Sequence, residues 1–321
     1  MALTAGCCSA GGLGSLRSYT YDNTRYHNLR DVASYYGMTM RVPPGKHIYL
    51  QSKWSELRFE VDSRQAELND VVLWLHVPIR RRRGKWLIST TDATKTIDPL
   101  LRPSEATGVA KPKVVVLDPG HGGNDKGAVG RRNVEEKRVV LDVAKRARGH
   151  LANAGFKVYL TRETDRYISL NERTAKARKW GADAFVSIHL NAAASRSASG
   201  LETYVVAHQG FPPTARSTLS KSDRYAFPGN RHDEANVVLG HSLQKGLLEK
   251  VKGKDRGLRH ARFVVLKNAP CPAALIECGF LSNQAEENKM LRREHREAIA
   301  LAIAQGIIEY SKAVDPPKKG K

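Results

Sequence analysis

The sequence predicts an α/β domain with a mostly parallel central sheet and helices on both faces, preceded by a small, mostly β domain. Beyond about residue 113, apolar runs of strand length alternate with longer helical stretches, which is typical of strands buried on both faces. Before that point, short alternating segments are separated by turn signals, which is typical of antiparallel structure. With 321 residues and 41% apolar content, the chain is long enough to bury two cores.

The β domain is expected to span about residues 22–105. Asn28 can cap a short helix, and Gly37 can end it. Extended arms flank the Pro-Gly turn of RVPPGKHIYL, the segment LRFEV alternates, and Asn69-Asp70 separates two further arms in hairpin fashion. The segment WLIS is expected as the last strand, and ATKTIDPLLRP closes the domain. In this pattern the domain resembles the N-terminal domain of copper amine oxidases, which is also found as a stalk beside wall-acting enzymes.

The α/β domain is expected at residues 113–312, after a linker at 106–112 and before a basic tail at 313–321. The predicted strands are VVVL from 114, KVYLT from 157, AFVSI from 184, ETYVV from 202, FVVL from 263 and AALIE from 273. The predicted helices are Glu135 to Leu151, Leu170 to Trp180, Glu234 to Val251, and one or two between Gln284 and Tyr310.

The charge of the chain favours an acidic partner. Lys and Arg outnumber Asp and Glu by 53 to 32, which gives a net charge of +21. Nucleic acid, anionic lipid and the acidic polymers of a bacterial wall all fit, but no aromatic-interleaved basic stripe predicts nucleic-acid binding. The run Arg80 to Arg83 either grips an anionic polymer or, as is more common for an Arg-rich hairpin tip, forms a solvated turn. No apolar stretch reaches the roughly 18 residues of a membrane-spanning helix.

Residues 1–21 are expected to be a leader, because LTAGC followed by small residues looks like the cleavage end of a lipoprotein signal. This predicts export to the periplasm or cell envelope, with Cys7 as the candidate lipid anchor. A tail with two incidental thiols fits the same residues equally well. Cys271 and Cys278 do not have the spacing of a structural zinc site, and the sequence leaves open whether they form a disulfide.

Four polar side chains occupy positions from which chemistry is expected. His121 follows the strand VVVL, His189 follows AFVSI, Glu277 follows AALI, and Glu136 begins the helix after a glycine-rich loop. In an open α/β sheet, the residues beyond the carboxyl ends of the strands converge at one edge. Two imidazoles and one carboxylate are a sufficient protein set for a catalytic zinc ion, with the fourth position left for water.

The spacing of these residues does not identify a metal site by itself. The three ligand candidates lie 15 and 53 residues apart, without the i, i+4 pattern of a short zinc motif. A histidine at a strand end is also common as a structural hydrogen-bonding group. The setting Gly-His-Gly-Gly around His121 favours the metal hypothesis, because residues without a Cβ let the backbone and a substrate approach closely.

Four segments carry a family resemblance: DPGHGGNDKGAVG, EEKRVVLDVAKRARGHL, TRETDRYISLNERTAKARKWGADAFVSIHLNAA and FVVLKNAPCPAALIECGFLSN. In order and register they resemble the zinc-dependent N-acetylmuramoyl-L-alanine amidases of the AmiC-like (amidase 3) family, from about Lys113 to Tyr310. The resemblance implies one zinc ion held by His121, Glu136 and His189, and places the catalytic glutamate at Glu277. It also implies hydrolysis of the peptidoglycan amide between N-acetylmuramic acid and L-alanine.

Within the resemblance, Glu136 is preferred to Glu135 because the family's ligand directly precedes a lysine, here Lys137. Further residues that match family positions are expected to be structural groups, groups that orient the metal ligands or substrate-binding groups; they are Asp118, Asp165, Arg173 and Asn191. Cys278 is expected to be a small packed residue, although it directly follows Glu277.

Two other functions compete with the amidase hypothesis. A zinc peptidase acting on the stem peptide would use the same metal, and a wall-binding protein could keep the fold without catalysis. The sequence of residues 208–236 is polar and broken by proline and glycine, so we expect a substrate-side loop there rather than a plug of the site. Nothing in the sequence names a regulatory partner.

Overall fold

The structure, a computed structural model, describes residues 12–315. These residues divide into two compact units, the first ending at Gly108 and the second running from Val109 to Asp315. The hypothesis of a lipid anchor concerns Cys7, which lies outside the described residues, as does most of the expected basic tail. Each unit is described by itself.

In the first unit, residues 12–108 contain nine strands in two antiparallel sheets, with orders β1-β2-β9-β8 and β3-β4-β5-β6-β7. The strands are β1 Ser18–Tyr21, β2 Thr24–Asn28, β3 Thr39–Arg41, β4 His47–Gln51, β5 Glu56–Glu60, β6 Gln65–Leu68, β7 Val71–Trp74, β8 Arg80–Arg82 and β9 Lys85–Ser89. The helical segments are the 3₁₀ turn Leu13–Ser15, α1 Leu29–Tyr35, α2 Thr90–Asp92, a π-helical turn Ala93–Ile97, α3 Asp98–Leu101 and α4 Pro103–Ala106.

Local sequence signals account for several of these elements. The Asn28 side chain accepts a hydrogen bond from the amide of Arg30 at 3.3 Å and so caps α1. Asn69 and Asp70 have φ of 48° and 66°, as in the tight turn of a hairpin whose strand twist is right-handed. Leu57 and Phe59 alternate along β5 and are fully buried, so one face of the meander carries the core of this unit.

One expectation for the first unit needs correction, because strand β1 lies inside the range expected to be a leader, where it pairs with β2. The closing segment after residue 90 is helical: Ser89 caps it through the amide of Asp92, and Pro99 stands in the first turn of α3. Helix α4 occupies Pro103–Ala106 and ends at the first residue of the expected linker.

The second unit contains a six-stranded sheet in the order β11-β10-β12-β15-β13-β14. The strands are β10 Val114–Pro119, β11 Lys157–Leu160, β12 Ala184–Asn191, β13 Leu201–Val206, β14 Asp255–Ala261 and β15 Ala273–Phe280. The first four strands of this order are parallel, whereas β13 runs antiparallel to β15 and parallel to β14. The sheet is therefore mostly parallel, as predicted.

Helices flank both faces of this sheet. They are α5 Glu136–Asn153, α6 Leu170–Lys179, α7 Asp233–Val251, α8 Val264–Lys267, α9 Gln284–Met290 and α10 Arg293–Val314. On one face, α6 and α8 bury Ala177 and Leu266 against Val116, Phe185 and Leu275 of the strands. Since side chains alternate along a strand, the neighbouring apolar residues face the other side, where α5, α7 and α10 pack together. No helix among residues 12–315 is long and apolar enough to cross a membrane.

Two strand assignments differ from expectation. FVVL, at residues 263–266, was expected to be a strand, but Val264–Lys267 form helix α8. The amide of Lys267 donates to the carbonyl oxygen of Phe263 at 2.9 Å. A run of four apolar residues does not distinguish a buried strand from a helical turn. Strand β14 was not predicted, because DRGLRHA has no apolar run and contains a glycine. Its buried residues include Leu258 and His260.

Residues 208–232 form a loop with two 3₁₀ turns, Lys221–Arg224 and Pro228–His232, and residues 233–236 begin α7. Asp223 is fully buried and forms ion pairs with Arg216 and Arg262. Arg262 also donates to the carbonyl oxygens of Ala207, at 2.6 Å, and of neighbouring residues. Buried ion pairs and hydrogen bonds therefore hold the loop in one conformation. The interpretation of this segment as a substrate-side loop stays a prediction.

Candidate active site

The loop between β10 and α5 brings the first two ligand candidates together. His121 lies two residues after the end of β10 and has a φ of 59°, a left-handed conformation that is uncommon for a residue with a side chain. Glu136 is the first residue of α5 and is buried. His189 lies near the end of β12, next to β10 in the sheet. The three side chains therefore meet at the carboxyl ends of neighbouring parallel strands.

The donor atoms of these three residues lie within 4.8 Å of one another. Nε2 of His121 is 3.2 Å from Oε1 of Glu136, and Nδ1 of His189 is 3.0 Å from the same oxygen. The two imidazole rings stand edge to face, with centroids 5.0 Å apart. One metal ion could be held between them.

Hydrogen bonds donated by the backbone to Glu136 and by His121 to Asp125 fix the two ligand candidates on this loop. The Asp125 carboxylate accepts from Nδ1 of His121 at 2.9 Å, which leaves Nε2 of that ring directed at Glu136. The amide of Ala128 donates to Oε2 of Glu136 at 2.8 Å, and the amide of Leu190 donates to Oε1 at 3.0 Å. Such outer contacts orient metal ligands and set the tautomer of a histidine.

Two glycines lie so close to His189 and Glu136 that a side chain at either position would overlap them. A Cβ at Gly120 would lie 2.2 Å from Cε1 of His189, and a Cβ at Gly127 would lie 2.5 Å from Oε2 of Glu136. Gly127 also has a φ of 65°, which side chains rarely adopt. The glycines around His121 therefore serve the neighbouring ligands, which is the physical reason for the expected close approach.

Two buried arginines hold the ligand loop in place. Arg162 donates to the carbonyl oxygens of Pro119 at 3.0 Å and Gly120 at 2.8 Å. Arg173 donates to Asp118 at 2.7 Å and to the carbonyl oxygen of His121 at 2.8 Å. Burial and the neighbouring charge of Arg173 lower the pKa of Arg162 to about 10, so this interior position is costly for a cation. Arg173 thus contacts the backbone of a ligand candidate rather than the ligand atoms.

Glu277 lies opposite His189 on the adjacent strand β15. Its Oε2 atom is buried and has no hydrogen-bond partner among residues 12–315. Burial, followed by the charges of Glu136 and Glu202, raises the pKa of this carboxyl well above its usual value. A carboxyl in such surroundings is suited to proton transfer.

Asn191 lies at the end of β12 and contacts a second buried acid. Its Nδ2 atom donates to Glu202 at 2.5 Å, and its Oδ1 accepts from the amide of Ala192 at 2.8 Å. Glu202 pairs in register with Glu277 and forms an ion pair with Arg256 at 2.9 Å. Asn191 therefore supports the end of the strand that carries His189.

The charges of the three ligand candidates compensate one another. Burial would raise the pKa of Glu136, but the hydrogen bonds and charges of the two histidines outweigh it and lower that pKa to about 2. Burial would lower the pKa of His121, but Glu136 and Asp125 outweigh it and raise that pKa. The site is therefore built around an ionised carboxylate that prefers positive charge beside it.

A glutamate and two cysteines near the site do not take the roles of metal ligand or nucleophile. Glu135 forms ion pairs with Lys126 at 3.0 Å and Arg138 at 2.9 Å, so only Glu136 of the pair reaches the cluster. Cys271 and Cys278 are buried free thiols. Burial raises the pKa of Cys271 to about 12 and raises that of Cys278 well above its usual value. Neither thiol is suited to act as a nucleophile.

Sequence reasoning missed three residues that build this site: Asp125, Arg162 and Glu202. Asp125 could have been found, because it stands four residues after His121 in the same loop and carboxylates commonly orient metal-binding histidines. Arg162 and Glu202 carry no comparable signal, since their roles depend on which carbonyls and strands the fold brings beside them.

Comparison with known proteins agrees with this geometry. A sequence profile of the Amidase_3 family, described as N-acetylmuramoyl-L-alanine amidase, matches residues 115–309. The N-acetylmuramoyl-L-alanine amidase AmiA of Escherichia coli (strain K12) is 36% identical over 242 residues, covering 66% of this chain and 83% of that protein. AmiC of Escherichia coli O6:H1 is also 36% identical, over 224 residues that cover 63% of this chain and 54% of AmiC.

Solved structures show the same fold for the second unit. The catalytic domain of CwlV, an N-acetylmuramoyl-L-alanine amidase from Bacillus (Paenibacillus) polymyxa var. colistinus, is 32% identical and superimposes with a TM-score of 0.53, covering 63% of this chain and 99% of that one. The family profile spans more than half of the chain and contains all four candidate residues. This chain belongs to the Amidase_3 family of N-acetylmuramoyl-L-alanine amidases.

Proposed function

We propose that this chain hydrolyses peptidoglycan at the amide bond between the lactyl group of N-acetylmuramic acid and the L-alanine of the stem peptide, with one zinc ion as cofactor. The observation that carries the proposal is the convergence of His121, Glu136 and His189 beside Glu277, which is partly buried and has a buried Oε2 atom. Family membership supports the choice of bond, since the amidases to which the chain is similar are named for it.

The donor set and its spacing fit zinc. Nitrogen and oxygen ligands lie about 2.0–2.2 Å from zinc, so two tetrahedral ligands stand roughly 3.3 Å apart. The distances from Glu136 Oε1 to the two histidine nitrogens, 3.2 and 3.0 Å, are close to this value. Three protein ligands also leave one position open, as in catalytic rather than structural zinc sites. Bound zinc supplies Lewis acidity, which makes water more acidic and an amide carbonyl more electrophilic.

The protein groups supply orientation and proton transfer. Asp125 holds His121 in one tautomer, and the amides of Ala128 and Leu190 hold the Glu136 carboxylate. Glu277 takes a proton from the attacking water at its unpartnered Oε2 atom and passes it to the departing amine nitrogen of L-alanine. The bond to the lactyl carbonyl carbon breaks as the amine leaves. Arg173 and Asn191 act by positioning the ligand strands.

The net charge of the chain is opposite in sign to the charge of the proposed substrate. Peptidoglycan stems carry carboxylates, and the chain has a net charge of +21. Because this polymer lies outside the cytoplasmic membrane, the proposal places the protein in the periplasm or cell envelope. A lipid anchor at Cys7 would be compatible with that location.

The test is to digest purified peptidoglycan with the wild-type protein, chelator-treated protein and Glu277→Gln, and to identify the released ends by mass spectrometry. We expect free L-alanine amino termini and intact lactyl-bearing glycan from the wild type only. Glu277→Gln should keep zinc but lose about 10² to 10⁴ in turnover. Cleavage inside the stem peptide would indicate a peptidase instead, and undiminished release by Glu277→Gln would exclude the assigned role.

A further inference from the structure

A cleft is formed by the loops that continue from the elements of the site. It has a volume of about 470 Å³ and is lined by residues of three segments, including Arg131, Arg196, Ser282, Gln284 and Asn288. Arg131 precedes Glu136 in the loop that begins with His121, and Arg196 follows His189 beyond the end of β12. Ser282 follows Glu277 beyond the end of β15. Each wall of the cleft therefore continues an element that carries a site residue.

Hydrogen bonds tie these walls together. The amide of Ala193 donates to the Ser282 hydroxyl at 3.0 Å, and the Asn283 side chain donates to the carbonyl oxygen of Arg196 at 3.0 Å. The amide of Arg132 donates to the buried carboxylate of Glu287 at 2.8 Å. These hydrogen bonds hold the backbone near the two arginines in a defined conformation.

The cleft carries positive charge without an internal partner. No Asp or Glu lines it, and neither Arg131 nor Arg196 forms an ion pair within the described part of the chain. Of the acids of α9, Glu286 accepts from the amides of Gly200 and Phe280, and the buried carboxylate of Glu287 accepts from the amide of Arg132. Two exposed guanidinium groups beside hydroxyl and amide side chains form the donor set that binds a carboxylate, in a planar and often bidentate manner.

Resting on the proposed function, we propose that Arg131 and Arg196 form a subsite that binds a carboxylate of the stem peptide beyond its L-alanine. The subsite would select stems whose carboxyl groups are free over stems in which they are carboxamides. A carboxamide has no negative charge and accepts fewer hydrogen bonds, so its binding gains little from two guanidinium groups. The cleft thereby sets the specificity of the site next to it.

The test compares soluble muropeptides with free stem carboxylates and the same muropeptides with carboxamides, using Arg131→Gln, Arg196→Gln and the double variant. A charge-assisted hydrogen bond at an accessible site corresponds to roughly tenfold in affinity. We therefore expect KM for the carboxylate substrate to rise about tenfold in each single variant and more in the double variant, with kcat little changed. The double variant should treat both substrates alike.

Arg178→Gln is the matched control, because Arg178 is an exposed arginine of α6 that does not line the cleft. It should keep the wild-type preference for carboxylates. If the double variant keeps that preference too, or loses activity equally on both substrates, the subsite assignment is wrong.

A binding measurement separates this proposal from the amidase activity. Titration calorimetry with isolated stem peptides should show tighter binding of the carboxylate form to wild type and no such difference for the double variant. If wild type hydrolyses neither muropeptide but shows this binding difference, the proposed reaction fails and the subsite stands. If hydrolysis is present and neither assay shows a preference, the subsite fails and the reaction stands.

Discussion

His121 has two ring nitrogens, and Asp125 decides which of them faces the metal site. The carboxylate of Asp125 accepts from Nδ1 of His121 at 2.9 Å and also from the amide of Gly127 at 3.1 Å. One side chain therefore sets both the tautomer of a ligand and the turn that brings the loop back to Glu136. A residue outside the ligand set can control metal affinity in this way.

Replacing Asp125 with alanine should weaken zinc binding by about 10- to 100-fold without unfolding the protein. Its side chain is partly exposed, and its main contacts lie within its own loop, so the core is unaffected. Competition with a chromophoric chelator measures the affinity. Glu163→Ala, which removes an exposed carboxylate paired with Arg148, is the control and should leave zinc affinity unchanged. Equal affinities for wild type and Asp125→Ala would show that the contact does not orient the ligand.

Gly120→Ala should displace the ring of His189, because the added Cβ would lie 2.2 Å from Cε1 of that ring. We expect zinc stoichiometry to fall steeply, and the free energy of unfolding to fall by about 1–3 kcal/mol through overpacking. Gly149→Ala is the matched control: it lies within α5, and its Cβ would meet nothing within 4 Å. That variant should be unchanged or up to about 1 kcal/mol more stable. Full zinc occupancy in Gly120→Ala would contradict the steric argument.

At the scale of elements, helix α5 carries Glu136 at its first residue and is attached to α10 by an ionic network. Arg296 of α10 forms an ion pair with Asp142 of α5 at 2.6 Å, and Glu297 does so with Arg146 at 2.7 Å. Burial alone would raise the pKa of Asp142, but hydrogen bonds from Arg146 and Arg296 outweigh it and lower that pKa. Helix α5, which carries the ligand candidate Glu136, is therefore attached to α10 by a contact that requires an ionised Asp142.

A carboxyl whose pKa is lower in the folded state stabilises the protein above its unfolded pKa, about 4, and loses this effect as pH falls through the folded value. Asp142→Asn should therefore be less stable than wild type at pH 6, by about 0.5–1 kcal/mol for a partly exposed pair, and the difference should shrink toward pH 3. Urea unfolding at both pH values measures it. Glu309→Gln, an exposed pair within α10, is the control and should show little effect. A difference that grows on acidification would contradict the sign.

How far the sequence predicts these elements depends on the length of their patterns. Helix α6, predicted at Leu170 to Trp180, is observed at Leu170–Lys179, and in the structure Ser169 caps it by accepting from the amide of Glu172. Helix α8 was predicted as a strand, and strand β14 was not predicted, because each has too few apolar residues to define a period. The reversed direction of β13 was not predictable, because direction depends on how the long connections pack.

For the site, the sequence indicates the ligand candidates because a glycine-rich loop and strand ends leave a local signal. The structure brings the donor atoms of His121, Glu136 and His189 within 4.8 Å, although they are far apart in the chain. Asp125 stands close enough to His121 in the chain to be found from the sequence, whereas the role of Arg162 depends on which carbonyl oxygens the fold brings beside it. The chemical roles of the four residues stay predictions until the digestion experiment is done.

The whole molecule carries a net charge of +21. Part of it lies in the first unit, at the tip of the β8–β9 hairpin, where Arg81, Arg82 and Arg83 are exposed. The resemblance of this unit to a stalk domain stays a prediction. A strongly positive chain meets a polyanionic wall through long-range attraction, which raises the association rate and is screened by salt.

Binding of the protein to insoluble peptidoglycan should therefore weaken markedly between about 0.05 and 0.3 M salt, as the Debye length falls from roughly 14 to 6 Å. The measurement is cosedimentation of the Glu277→Gln variant, which should not digest the polymer during the assay. A small muropeptide with amidated stems is the contrasting substrate: its hydrolysis by wild type should depend little on salt, because the ligand carries little charge. Equal salt dependence of both measurements would mean that the positive surface does not recruit the wall. Salt would then act on the site or on stability, and the charge of the chain would need another explanation.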